Sequence, residues 1–154
     1  MTGHLVLSTL HTNDAAGAVS RLTEMGVAPF LISSAIDCVQ AQRLARRLCS
    51  ECKEPFEPDA KMRENIGLDL DEEITLYRPK GCDRCNNTGY RGRVGVYEVM
   101  LMSERIQQLT VERASSDQIK QVAIAEGMQT LREDGLEKVR MGFTSYEEVL
   151  RVIV

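Results

Sequence analysis

Four of the five cysteines fall in two Cys-x-x-Cys pairs, 49-CSEC-52 and 82-CDRC-85, with residues 53–81 between them. Such a turn presents two thiolates to one ion with little strain, and two turns complete the tetrahedral set that zinc favours. The spacing predicts a structural zinc site made by Cys49, Cys52, Cys82 and Cys85. Four protein ligands leave no open position, so zinc catalysis is not implied. The alternatives are a metal-free module with reduced, buried thiols and a thioredoxin-like redox centre, although the latter needs only one pair. Pro55, Gly81, Gly89 and Gly92 supply the turns a tight knuckle uses. Cys38 stands apart among apolar residues at helical spacing, which predicts a small core side chain.

These thiols need elements to carry them. Strand character in 40-QAQRLARRLC-49 would deliver Cys49 to its end, and 94-VGVYEVM-100 reads as the strand that leaves the module. Between them, residues 50–92 hold three of the four prolines, the acidic run 69-DLDEE-73 and the turn-rich 86-NNTGYRGR-93. This stretch reads as an appendage that keeps its shape through the metal rather than through a core of its own. Losing one thiol should then loosen the appendage and leave the C-terminal helices folded. Upstream, 4-HLVLSTLHT-12 is apolar and β-branched enough for a buried strand, but a central strand needs neighbours on both edges. The segment begins with almost nothing before it, which suggests a truncated domain with an open sheet edge and low solubility.

Helices account for the rest. Thr12 or Asn13 can cap a helix over residues 14–25, ended by Gly26, and Pro29 suits the first turn of a second helix over residues 30–39. Ser115 with Gln118, and Thr144 with Glu147, match the spacing of capping boxes. Ile119, Val122 and Ala123 make one apolar face, Leu131, Leu136 and Val139 another, and Gly127 and Gly142 fall at helix stops.

Composition narrows the function. The chain has 154 residues, 43% hydrophobic and 27% charged, with a net charge of −4. That balance argues against a protein built to neutralise phosphate backbones, so nucleic acid is an unlikely partner. No apolar run approaches the roughly 20 residues of a membrane span, and the start lacks a basic n-region and a cleavage site. A cytoplasmic protein is expected.

Taken together, TGHLVLSTLHTNDA, RLTEMGVAPFLI, QRLARRLCSEC, GCDRCNNTGYRGRVGVYEVM and the closing helices closely resemble the C-terminal part of the bacterial secretion traffic ATPases. These ATPases serve type II secretion and type IV pilus assembly. The resemblance implies an α/β fold, the latter half of a RecA-like P-loop ATPase domain with an inserted tetracysteine zinc subdomain and C-terminal helices. On that basis residues 1–48 are the C-terminal half of the ATPase core, 49–93 the zinc-binding subdomain, and 94–154 a strand followed by helices. It also implies a homo-hexamer at the cytoplasmic face of the inner membrane, working on secretion or pilus platform proteins, with ATP and Mg²⁺ used by the complete protein.

In that family TGHLVLSTLHT is the histidine box, which implies a nucleotide-linked, catalytic role for His4 or His11. An imidazole can hydrogen-bond phosphate or orient a water, and on a regular strand the two would face opposite sides. Thr9, Thr12 and Asn13 could assist as donors, while Arg21, Arg43, Arg46 and Arg47 are candidates for subunit or nucleotide contacts. Arg91 and Arg93 would anchor the turn after the second knuckle to a carboxylate. No G-x-x-x-x-G-K-[ST] loop occurs in the chain, so ATP hydrolysis by these residues alone is not expected. The run 68-LDLDEE-73 only superficially resembles a Walker B strand and reads as a solvated loop. The competing reading is a free-standing zinc-ribbon module that binds protein or nucleic acid.

Overall fold

The computed structural model describes residues 3–69 and 73–153 as a mixed helix and strand protein with two small sheets and a cysteine cluster. It divides into two compact units, each assembled from two stretches of chain. The first comprises the chain up to Gln42 together with Tyr97–Thr130, and the second Arg43–Val96 with Leu131–Val154. The division falls within two long strands, β1 (Cys38–Leu48) and β4 (Tyr90–Leu101), which are neighbours in one sheet. Both show the period of two that a half-buried strand requires, with Val96, Glu98 and Met100 buried in β4 and Ala41 and Ala45 in β1.

The first unit is helical. In α1 (Ala15–Glu24) the residues Ala15, Ala16, Ala18 and Val19 are buried, and Asp14 caps the start by accepting from the Gly17 N–H at 2.9 Å. Pro29 opens α2 (Pro29–Ala35), as its fixed φ allows. These helices pack on α4 (Glu104–Val111) and α5 (Ser116–Ala125): α1 lies against α5, and α2 against α4. The capping box expected of Ser115 and Gln118 is present at the start of α5.

In the second unit, β2 (Glu54–Phe56) pairs antiparallel with β3 (Leu76–Arg78), with Pro55 opposite Tyr77. Between them lies α3 (Ala60–Ile66), capped by Asp59. The core joins Ile66, Leu68 and Leu76 to Leu136 and Val139 of α6 (Leu131–Arg140) and Val149 of α7 (Tyr146–Val152). Residues 50–92 therefore do not lack a core. They share one with the C-terminal helices, because Leu68 and Leu76 on the flanks of the acidic run point inward and are at most 7% exposed. Asp69 and Glu73 of that run are exposed, and residues 70–72 lie outside the described residues.

Other expectations need correcting. Residues 4–12 belong to neither sheet, and Leu5, Val6 and Leu7 are 82%, 77% and 89% exposed. Apolar, β-branched composition favours a strand only where a neighbouring backbone completes the ladder, and none of the described residues does so here. The second helix stops at Ala35 rather than running to residue 39, because Ile36 turns extended and the Met102 N–H bonds the Asp37 carbonyl at 2.9 Å, carrying the chain into β1. Cys38 is consequently the exposed first residue of β1, not a helical core residue. The first helix is capped by Asp14 rather than Thr12 or Asn13, and α7 by Ser145 rather than Thr144. In each case the preferred hydroxyl has another acceptor: Thr12 Oγ1 donates to the Asp14 carbonyl, and Thr144 Oγ1 to the Arg46 carbonyl at 2.8 Å. The turn after the second knuckle is also shorter than expected, since β4 already begins at Tyr90.

Candidate metal centre

β1 ends at Leu48, so Cys49 opens the turn that brings Cys52 round before β2 begins. The Lys53 N–H closes this turn on the Cys49 carbonyl at 3.0 Å. The second pair brackets a 3-10 turn, Asp83–Cys85, followed by Asn86 and Asn87, both at positive φ. One backbone bond ties the knuckles together, from the Cys49 N–H to the Gly89 carbonyl at 2.9 Å. Gly89 is forced by space as well as by its φ of +74°: an added Cβ would lie 2.4 Å from Pro79 Cβ.

The four sulfurs lie within 4.8 Å of one another. Cys49 Sγ is 3.9 Å from Cys82 Sγ, and Cys85 Sγ is 3.8 Å from both Cys52 Sγ and Cys82 Sγ. A tetrahedron with metal–sulfur bonds of about 2.3 Å has edges of about 3.8 Å, whereas a disulfide needs about 2.0 Å. The spacing suits four thiolates around one ion and fits no disulfide.

The surroundings are those of ligands. Cys49, Cys52 and Cys85 are buried and Cys82 half-buried. Backbone donors point at sulfur: the Gly81 N–H at Cys52 (3.4 Å), and the N–H groups of Cys82 and Gly89 at Cys85 (3.2 Å each). Burial pushes the Cys52 thiol up to about 12. Burial also opposes ionisation of Cys85, but its two N–H donors win and bring it down to about 6. The set could hold a metal ion.

The two histidines belong to the other unit. Both are exposed, on the segment without helix or strand, and His11, Thr12 and Asn13 line one open concavity of the surface. Among the arginines, Arg21 pairs with Glu24 along α1 at 3.1 Å, and Arg47 lies over the Phe143 ring. Arg46 bonds Glu148 and lies 4.2 Å from the Tyr90 ring centroid. Arg91 and Arg93 are exposed on β4.

Sequence reasoning passed over two buried carboxylates. Glu148, 1% exposed, accepts from the Arg46 backbone and guanidinium and from Arg151 at 2.6–3.0 Å. Glu98, also 1% exposed, accepts from the Ala15 N–H at 2.8 Å. A polar residue at a core-facing position of the 94-VGVYEVM-100 alternation was the available signal for Glu98.

The sequence profile of the family described as type II/IV secretion system protein matches residues 1–151. Over 152 residues the chain is 49% identical to the type II secretion system ATPase E of Vibrio cholerae, covering 99% of this chain and 30% of that protein. It is 48% identical to the type IV pilus assembly ATPase PilB of Thermus thermophilus, covering 97% and 17%, and 46% identical to the type II secretion system protein E of Pseudomonas aeruginosa, covering 99% and 30%. The chain thus spans less than a third of the length of these relatives. With a profile match over nearly its whole length, it belongs to the type II/IV secretion system protein family.

Proposed function

We propose that these residues are the C-terminal part of a hexameric, RecA-like ATPase that powers type II secretion or type IV pilus assembly at the cytoplasmic face of the inner membrane. The similarity to two relatives named as secretion and pilus ATPases, across 97–99% of this chain, carries the reading. The absence of a phosphate-binding loop from the 154 residues fits it, since phosphoryl transfer depends on positioning and charge that such a loop supplies. His11 or His4 serves as the nucleotide-linked residue, with Thr12 and Asn13 beside His11 in the same concavity. Cys49, Cys52, Cys82 and Cys85 hold zinc, which cross-links the two knuckles and takes no part in hydrolysis. Among the described residues no helix is long and apolar enough to cross a membrane.

A phosphate-release assay tests this on two proteins: the chain itself, and a fusion of the chain to the preceding portion of the Vibrio cholerae relative. The chain alone should show no turnover above background. The fusion should hydrolyse ATP and lose on the order of 10²-fold in rate with His11→Ala, the usual range for removal of a proton-transferring or water-orienting group. Turnover by the chain alone that survives repurification and disappears with His11→Ala would overturn the fragment reading. A fusion that forms hexamers and binds ATP without hydrolysing it would overturn the ATPase reading.

A further inference from the structure

His11 stands four residues before Ala15, the first residue of α1, on a segment that has no helix or strand of its own. Its position is therefore inherited from whatever holds the start of that helix. Three side chains do so. Asp14 Oδ1 accepts from the Gly17 N–H at 2.9 Å, and Asp14 Oδ2 pairs with Lys120 Nζ of α5, also at 2.9 Å. Glu98 of β4 accepts from the Ala15 N–H at 2.8 Å. The Thr12 hydroxyl adds a bond to the Asp14 carbonyl at 3.0 Å.

Helix stability alone asks for less. An Asp cap satisfies orphan N–H groups from within its own segment, and that cap is already made. Here two further partners come from residues 83 and 106 positions away, and one of them is a carboxylate 1% exposed. The surroundings are tight. Ala15 and Ala16 are fully buried, and a Cβ on Gly17 would lie 2.9 Å from Asp14 Oδ1. Burying a carboxylate is costly unless it is well bonded, so the helix start has one favoured seat. Asp14 in turn stabilises the charged form of Lys120, whose pKa lies above its ordinary value.

We propose that Glu98 and Lys120 are positioning residues for the His11–Asn13 segment, fixing the start of α1 to β4 and α5 so that the imidazole is held ready for its ligand. The assignment of that ligand as nucleotide rests on the reading given under Proposed function; the positioning does not.

The test uses the 154-residue chain and follows the His11 side-chain resonances and the amide exchange of residues 11–18 by NMR, alongside the melting temperature. Glu98→Ala and Lys120→Ala should shift and broaden the His11 and Asn13 signals and speed exchange over residues 11–17, by about tenfold at Ala15 when Glu98→Ala takes away its buried acceptor. Glu98→Gln, which keeps an acceptor oxygen, and Lys120→Arg, which keeps the charge, should restore them. If Glu98→Ala unfolds the chain, the partly exposed Lys120→Ala decides. A folded Lys120→Ala chain with unchanged His11 signals and unchanged exchange over residues 11–17 overturns the proposal. In the ATPase fusion, Lys120→Ala should lower kcat with KM little changed and Lys120→Arg should recover it. If His11→Ala leaves the fusion's turnover intact, the nucleotide role of His11 fails, and the NMR result still decides the positioning.

Discussion

Glu148 is the residue on which the second unit's electrostatics turn. Burial opposes its ionisation, but bonds from Arg151 and Arg46 more than compensate and hold the carboxyl at about 2 rather than the ordinary 4.5. As the pH falls, the unfolded chain takes up the proton first. The stabilisation is therefore complete above about pH 4.5 and is lost as the pH falls toward 2. Its size is on the order of 3 kcal/mol, and less once water screening of the two half-exposed arginines is allowed for. Urea unfolding at pH 7, 4.5 and 2.5 should show this loss in the native sequence, and Glu148→Gln, already weakened at pH 7, should lose less across the same window. Equal slopes for the two proteins would show that the carboxylate is not strongly held. None of this was legible in the sequence, because Arg46 and Glu148 are 102 positions apart. The clustering of Cys49, Cys52, Cys82 and Cys85 was legible because each pair declares itself within four residues. The cap of α7 lay between these cases: 144-TSYEE-148 offers two overlapping S/T-x-x-E registers, and only the bond from Thr144 to the Arg46 carbonyl chooses between them.

At the scale of elements, the first knuckle is stitched to the turn between α6 and α7. The Leu48 N–H bonds the Phe143 carbonyl at 2.9 Å, Lys53 Nζ bonds the Gly142 carbonyl at 3.0 Å, and the Tyr90 hydroxyl meets Ser145 Oγ at 2.8 Å. Together with the shared core of Ile66, Leu76, Val139 and Val149, these bonds mean that disorder in the knuckles should spread. Cys82→Ser should remove the bound metal, measured by atomic emission, and raise hydrogen exchange over residues 142–152 as well as over 49–92. The narrower outcome expected from sequence, with undisturbed C-terminal helices, would mean that α6 and α7 stand on their own packing. Helices were readable because their caps and apolar spacing are local signals. The 4-HLVLSTLHT-12 segment was misread because strand character belongs to a pair of segments and only one member was in view.

For the whole molecule, each compact unit joins stretches far apart in sequence, which a reading along the chain divides instead into consecutive pieces at 48 and 93. Such units follow from strands long enough to serve both, as β1 and β4 are, and strand length is a weak signal in sequence. The exposed run Leu5, Val6 and Leu7 sets the behaviour in solution. Exposed apolar segments with unpaired backbone seek partners, so the chain should associate with increasing concentration, and Leu7→Lys should shift light scattering toward the monomer. A native chain that stays monomeric at every concentration tested would show that the segment is harmless as it stands.

The exposure of Cys38 has a practical side. With three of the other thiols buried and all four engaged with one another, a maleimide dye added to the native, metal-loaded protein should couple at one place, the first residue of β1. Mass spectrometry of the labelled chain should find one adduct, rising to five after chelation and denaturation, in line with the five cysteines of the sequence. The protein thus carries its own attachment point for a fluorophore, and distances measured from it would report on the chain without any cysteine having to be engineered in or out.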